Sequence, residues 1–132
     1  MNLHLLEPLV AMVVIENRER TMECIATDKL VKSSVQKLNI IANLIRKEDV
    51  DKAMLQLDFC KRVASKILKN ILKSAIANAQ NNFGLDIDKL YVKEVKIGKS
   101  LTLKRSMFRA RGRIDKIVKP FSKVTIILEE RE

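Results

Sequence analysis

The stretch KSLTLKRSMFRARGRIDKIVKPFSK, from Lys99 to Lys123, lies between two segments that have the apolar pattern of β-strands. Nine of its 25 residues are Lys or Arg and only Asp115 is acidic, so it carries +8 of the formal net charge of +10. Its cations are Lys99, Lys104, Arg105, Arg109, Arg111, Arg113, Lys116, Lys119 and Lys123. Because so many like charges pack poorly against their own domain, we expect a projecting β-hairpin that binds a polyanion, most commonly nucleic acid.

This basic arm (residues 99–123) has side chains that suit RNA. Arginine predominates near its centre, and a guanidinium group binds phosphate in a bidentate manner and stacks on bases. Phe108 is a candidate to stack on an unpaired base, and Gly112 permits a tight bend or a close backbone approach. The plainer alternative is a solvated basic loop that binds nothing specific.

Upstream of the arm, the pattern predicts a small domain that begins with a strand. Cys24 to Lys32 alternates loosely between apolar and polar residues, which favours a short strand. Ser33 and Gln36 have the spacing of a capping box, and apolar residues at helical spacing follow. A second, short helix is predicted after Asp49 or Asp51, either of which can cap it.

The third predicted helix, Lys61 to Asn81, is the clearest element, with Gly84 as its stop. Its apolar stripe consists of Ala64, Ile67, Leu68, Ile71, Leu72, Ala75, Ile76 and Ala79. Leu90–Ile97 reads as a strand with a change of phase that indicates a bulge or a strong twist, and Val124–Leu128 reads as the last strand. The predicted fold class is therefore α+β, with three helices packed on a small antiparallel β-sheet and a long protruding basic β-hairpin.

The length of 132 residues suits one domain, which we expect over residues 22–132. Residues 1–21 show no clear helical or strand periodicity and are interpreted as an N-terminal extension, either disordered or upstream of a native start at Met22. The apolar run Leu3–Ile15 is too short to span a bilayer and lacks the basic region of a secretory signal, so we expect a soluble, cytoplasmic protein.

The sequence contains no enzyme signature, cofactor motif or metal-ligand cluster. Cys24 and Cys60 are far apart and are expected to be buried, reduced thiols. His4 has no partner residues, and turn chemistry accounts for Asp86 and Asp88. We therefore expect no catalytic, cofactor or metal site and no small-molecule substrate.

Two further groups of residues are candidates for phosphate contacts. Lys32, Ser33, Ser34 and Lys37 surround the start of the first helix, where free N–H groups favour anions, although simple capping explains the serines equally well. The third helix carries Lys61, Arg62, Lys66, Lys69 and Lys73, for which a solvated face is the plain alternative.

Three stretches together resemble a known family. They are KSSVQKLNIIANLIRKEDVDKAMLQL (Lys32–Leu57), LKSAIANAQNNFGLDIDKLYVKEV (Leu72–Val95) and LKRSMFRARGRIDKIVKPFSKVTIIL (Leu103–Leu128). They are similar to the large-subunit ribosomal protein of the L-twenty-two family in its bacterial form. Phe108 departs from the family, which commonly has proline there.

The resemblance implies a structural protein that binds large-subunit ribosomal RNA, supports subunit assembly and contacts neighbouring ribosomal proteins. It implies that the hairpin tip reaches the wall of the exit tunnel and so meets the nascent polypeptide. The residues implied for the tip are Leu103, Lys104, Arg105, Ser106, Met107, Phe108 and Arg109. Two other classes stay open: a regulatory DNA-binding module whose first two helices mimic a helix-turn-helix, and a peptide- or membrane-binding protein that uses residues 1–21.

Overall fold

Six main elements follow one another in the computed structural model, which describes residues 22–131. They are β1 (Cys24–Val31), α1 (Val35–Ile45), α2 (Val50–Phe59), α3 (Val63–Asn78), β2 (Leu90–Phe108) and β3 (Ile114–Glu130). The predicted order of one strand, three helices and two strands is confirmed, and so is the α+β class. The interpretations of residues 1–21, including His4, lie outside the described residues.

The three strands form one antiparallel sheet in the order β1-β3-β2. β3 is central because it turns back along β2 and also pairs with β1, so that Leu128 lies opposite Cys24 on one side and Val92 on the other. Val124, Ile126 and Leu128 alternate along β3, and all three are fully buried on the face that the helices cover. The predicted last strand is confirmed, although it begins ten residues earlier than expected.

The core lies between this sheet face and the three helices. α3 packs on β1 and β3, and α1 packs on β2. Leu68 and Leu72 of α3 are fully buried, as the stripe predicted, and each such side chain contributes about 1.5–3 kcal/mol through burial. Ser65 is also buried, because its hydroxyl donates to the Cys60 carbonyl at 2.7 Å and satisfies its polarity.

The start of α1 differs from the capping-box prediction. The N-cap residue is Ser34, whose side chain makes no capping bond, and Val35 is the first helical residue. Ser33 lies outside the helix because its N–H donates to the Val31 carbonyl at 2.8 Å. The Ser33 carbonyl accepts a hydrogen bond from the Ser122 hydroxyl at 2.7 Å. Ser33 and Ser122 therefore connect the end of β1 to β3, and Ser33 forms no capping box.

The end of the third helix agrees with the prediction. After α3 the chain makes one wide π-type turn, Ala79–Phe83, and the helical conformation ends at Gly84. Gly84 has φ +62°, a left-handed conformation that costs glycine little, and its N–H donates to the Gln80 carbonyl at 3.1 Å.

The predicted bulge in β2 is present between Val92 and Glu94. There the Val92 backbone makes two hydrogen bonds to the loop between α1 and α2. The Val92 carbonyl accepts from the Lys47 N–H at 2.8 Å, and the Val92 N–H donates to the Glu48 carbonyl at 2.9 Å. A second bulge, between Lys99 and Thr102, lies where the arm leaves the body. Bulges raise local twist, so the second one sets the direction of the arm.

Both cysteines are free thiols. Cys24 is buried in the core, and this burial raises the pKa of its thiol. The prediction of a buried thiol is wrong for Cys60, which is only half-buried because it lies in the connection between α2 and α3.

Candidate nucleic-acid interface

The outer halves of β2 and β3 form the arm. Their paired residues run from Thr102 opposite Pro120 to Phe108 opposite Ile114, and the connecting turn is residues 109–113. In the turn the Arg109 N–H donates to the Arg113 carbonyl at 2.8 Å.

The turn lies beyond most of the segment predicted as the tip. Leu103 to Phe108 are strand residues of β2, and only Arg109 of the predicted set lies in the turn. The bend occurs later because Arg111 (φ +58°) and Gly112 (φ +69°) adopt left-handed conformations in succession. The proposed role of Gly112 in a tight bend is therefore confirmed.

The cations of the arm are exposed and largely without protein counter-charge. Residues 104–120 are all exposed, and Leu103 is half-buried. Arg109 forms an ion pair with Asp115, with 2.7 Å between Nε and Oδ2. Within residues 22–131 the other eight arm cations form no ion pair: Lys99, Lys104, Arg105, Arg111, Arg113, Lys116, Lys119 and Lys123.

Both faces of the arm carry positive charge. Residues directly opposite each other on antiparallel strands share a face, and the face alternates along each strand. Lys104 and Lys116 therefore lie on one face, whereas Arg105 and Lys119 lie on the other.

A cleft of about 760 Å³ lies where the arm meets the body. Five cations line it, together with the two serines before α1 and an apolar floor that includes Val63, Ile67 and Pro120. The cations are Lys32, Lys37, Lys61, Arg62 and Lys119. The structure thus joins the predicted group Lys32, Ser33, Ser34 and Lys37 to two cations that precede α3 and one from the arm.

The starts of two helices meet this cleft. Ser34 is the N-cap of α1 and Arg62 is the N-cap of α3, and neither helix has an acidic residue in its first turn. The positive poles of both helix dipoles therefore add to the five cations. The other cations predicted on the third helix, Lys66, Lys69 and Lys73, do not line this cleft. Lys69 forms an ion pair with Asp58.

Ser122 is a positioning residue that sequence reasoning missed. It is fully buried at the base of the arm, and its hydroxyl holds the Ser33 carbonyl at 2.7 Å, beside the cleft. A serine in the same alternating phase as Val124 and Ile126 is the signal that could have revealed it. A second cleft, of about 780 Å³, lies beside the first and includes Lys99 and Phe121.

The end of the body opposite the arm is electrostatically balanced. Lys93 contacts Glu23 and Glu129, and these carboxylates raise its pKa. Glu129 also accepts the Tyr91 hydroxyl and thereby raises the pKa of Tyr91. Asp49 contacts Lys52 at 2.9 Å, and this hydrogen bond lowers the pKa of its carboxyl.

No cluster of three His, Cys, Asp or Glu side chains that could hold a metal ion occurs within residues 22–131. The same residues include no helix that is long and apolar enough to cross a membrane.

Comparison with known proteins gives consistent matches. The family model described as Ribosomal protein L22p/L17e matches residues 26–129. The "Large ribosomal subunit protein uL22" of Maricaulis maris (strain MCS10) is 51% identical over 104 residues, which is 79% of this chain and 82% of the relative. The protein of the same name from Wolbachia pipientis subsp. Culex pipiens (strain wPip) is 46% identical over 115 residues, covering 87% of this chain and 97% of the relative. The protein of the same name from Neorickettsia sennetsu (strain ATCC VR-367 / Miyayama) is 54% identical over 100 residues, covering 76% of this chain and 88% of the relative.

Proposed function

This chain belongs to the ribosomal protein L22p/L17e family, and from that membership we propose that its basic arm threads through folded large-subunit ribosomal RNA. We propose further that the outer part of the arm, Leu103–Arg109 with the turn that follows, lines the exit tunnel and meets the nascent polypeptide. Membership itself makes the chain a structural, non-enzymatic constituent of the large ribosomal subunit. Its partners are therefore ribosomal RNA and ribosomal proteins, and its location is the cytoplasmic ribosome.

The contrast in charge balance carries the proposal. Among the described residues, six of the fifteen cations outside the arm contact a carboxylate, whereas only one of the nine arm cations does. Eight unpaired cations close together on two strands and their connecting turn repel one another, and a polyanion that supplies counter-charge relieves this repulsion. RNA phosphates supply it and release condensed counterions on binding.

The distribution of these cations over both faces supports threading rather than docking on a surface. An arm laid on RNA would need its cations on one face only. Here Lys104 and Lys116 on one face, and Arg105 and Lys119 on the other, are all open to phosphates. Recognition of this kind depends on the shape of folded RNA more than on base sequence.

The cleft at the base of the arm is proposed as a second phosphate site. Lys32, Lys37, Lys61, Arg62 and Lys119 surround a space of about 760 Å³, which is large enough for a segment of RNA backbone. Ser33 and Ser34 are proposed to add N–H and hydroxyl donors there. An RNA strand that enters the cleft would continue directly onto the arm through Lys119.

A regulatory DNA-binding module is the second candidate, and the second helix argues against it. α2 buries Val50, Ala53 and Leu57 against the body. The surface that it exposes includes the carboxylate of Asp51, which duplex DNA would repel. α2 is therefore poorly suited to enter a major groove.

Sedimentation and crosslinking test the proposal. The chain should co-sediment with large subunits in a gradient and remain bound at moderate salt; recovery only in the free pool would refute binding to the subunit.

The tunnel assignment is tested separately in ribosomes stalled during translation. A photoreactive residue at Met107 should crosslink to the nascent chain, and one at Phe59, which is exposed on the body, should not. Equal crosslinking from both positions, or none from Met107, would contradict the tunnel assignment.

A further inference from the structure

The last residue pair of the arm presents an apolar surface. Phe108 lies directly opposite Ile114, so the two side chains share one face, and they are 81% and 57% exposed. The core lies at the other end of β2 and β3, so this surface contributes nothing to folding through burial. An exposed aromatic residue beside an exposed aliphatic one, at the end of a charged arm, is a feature of binding surfaces.

The surface is held in place before any partner arrives. The turn beyond it is closed by the bond between the Arg109 N–H and the Arg113 carbonyl, 2.8 Å. The ion pair between Arg109 and Asp115, 2.7 Å, also holds it by joining the turn to β3. A partner that binds here therefore meets a surface whose backbone needs little further ordering.

Two cations lie close to the apolar pair in the arm. Arg113 precedes Ile114 directly, and Lys116 lies on the same face as Phe108 and Ile114. Neither cation has an ion pair within the described chain. A nucleotide offers the matching chemistry, because its base has an apolar ring face and its backbone carries the phosphate.

We propose that Phe108, supported by Ile114, stacks on an unpaired base of the large-subunit RNA while Arg113 and Lys116 bind the adjoining phosphates. This inference rests on the proposed function, and it adds the class of ligand, an extruded nucleobase, and the residue that binds it. An apolar segment of nascent peptide is the competing partner. It would contact the ring but leave both cations without counter-charge, which makes RNA the better fit.

Tryptophan substitution gives a direct test, because the chain contains no tryptophan. Phe108→Trp places a single fluorophore on the apolar pair, and Phe59→Trp places one at a matched position on the body, where Phe59 is 82% exposed. The probe is the large-subunit ribosomal RNA alone. Stacking on a base should quench the Phe108→Trp signal, and the Phe59→Trp signal should stay unchanged.

Affinity provides the second measurement. Phe108→Ala should weaken binding to the same RNA about tenfold, as expected for the loss of one stacked base. The dependence of affinity on salt should keep its slope, because no phosphate contact is removed. Phe59→Ala is the matched control and should bind like the parent chain.

Several results would overturn the inference. Parental affinity in Phe108→Ala, or an unquenched Phe108→Trp signal in an RNA complex that forms normally, would show that no base stacks there. In translating ribosomes, a photoreactive residue at position 108 that crosslinks to nascent peptide and not to RNA would assign the surface to peptide. If the parent chain itself failed to bind the RNA, the proposed function would fall, and this inference with it.

Discussion

The arm contains both paired and unpaired cations, so the contribution of the unpaired cations to RNA binding can be tested by removing each kind separately. Arg109 already has a counter-charge in Asp115, 2.7 Å away, whereas Arg111 and Arg113 have none within residues 22–131. Replacing Arg111 and Arg113 together by Gln removes two free cations. The matched control, Arg109→Gln with Asp115→Asn, alters the same turn but leaves the net charge of the arm unchanged.

The expected effect follows from counterion release. Each phosphate contact contributes about 0.7–0.9 to the slope of log K against log salt, so losing two should reduce the slope by about 1.6. At about 0.1 M salt this corresponds to roughly 40-fold weaker binding, or about 2.2 kcal/mol. The control pair should change the slope by about zero. All four side chains are exposed, so stability should change by less than about 0.5 kcal/mol in either variant.

Filter binding to large-subunit ribosomal RNA, from about 50 to 200 mM salt, measures these slopes. Thermal unfolding followed by circular dichroism checks that both variants fold. If Arg111→Gln with Arg113→Gln kept the parental slope, neither Arg111 nor Arg113 would be a phosphate ligand. If the salt slope fell as much in the charge-neutral control as in the double arginine variant, the number of unpaired cations would not determine how strongly the arm binds RNA.

Three other predictions concern the body of the protein. In the cleft, Lys61→Gln with Arg62→Gln should reduce the same salt slope by about 1.6, and an unchanged slope would remove both residues from the interface. In the core, Leu72→Ala should lower the free energy of unfolding by about 2–5 kcal/mol in chemical denaturation, because Leu72 is fully buried; a loss below 1 kcal/mol would contradict its role. At the balanced end, the pKa values of Tyr91 and Lys93 are both raised, so their stabilising contribution is present at neutral pH and is lost as the pH rises through the alkaline range. Denaturation midpoints should therefore fall more steeply above about pH 10 in the parent than in Glu129→Gln, and parallel curves would refute the linkage.

The elements that depend on local pattern were predictable from the sequence. The stripe of α3, including Leu68 and Leu72, follows the helical period, and the change of phase between Val92 and Val95 marks a bulge that the structure contains. The run of cations between two strands likewise indicated the arm. In each case neighbouring residues alone determine the outcome.

Features that depend on distant contacts were not predictable. The choice between Ser33 and Ser34 at the start of α1 involves Ser122, which is 89 residues away from Ser33 in sequence. The position of the turn depends on the backbone conformation of Arg111, a residue with no intrinsic preference for positive φ. The predicted phosphate-binding residues Lys32 and Lys37 lie near Lys61, Arg62 and Lys119 only because α1, α3 and the arm pack together.

β2 and β3 each continue as one strand from the core, through the bulge between Lys99 and Thr102, to the turn, and this continuity restricts how the arm can change in length. Inside the body the register is fixed by buried residues such as Ile126, so the arm inherits its register from the core. Deleting an odd number of residues from one strand would exchange the two faces beyond the cut and turn Phe108 to the opposite side. Adding two residues to each strand would preserve every face and extend the reach by about 7 Å. Insertions and deletions among related arms should therefore be tolerated in matched, even numbers.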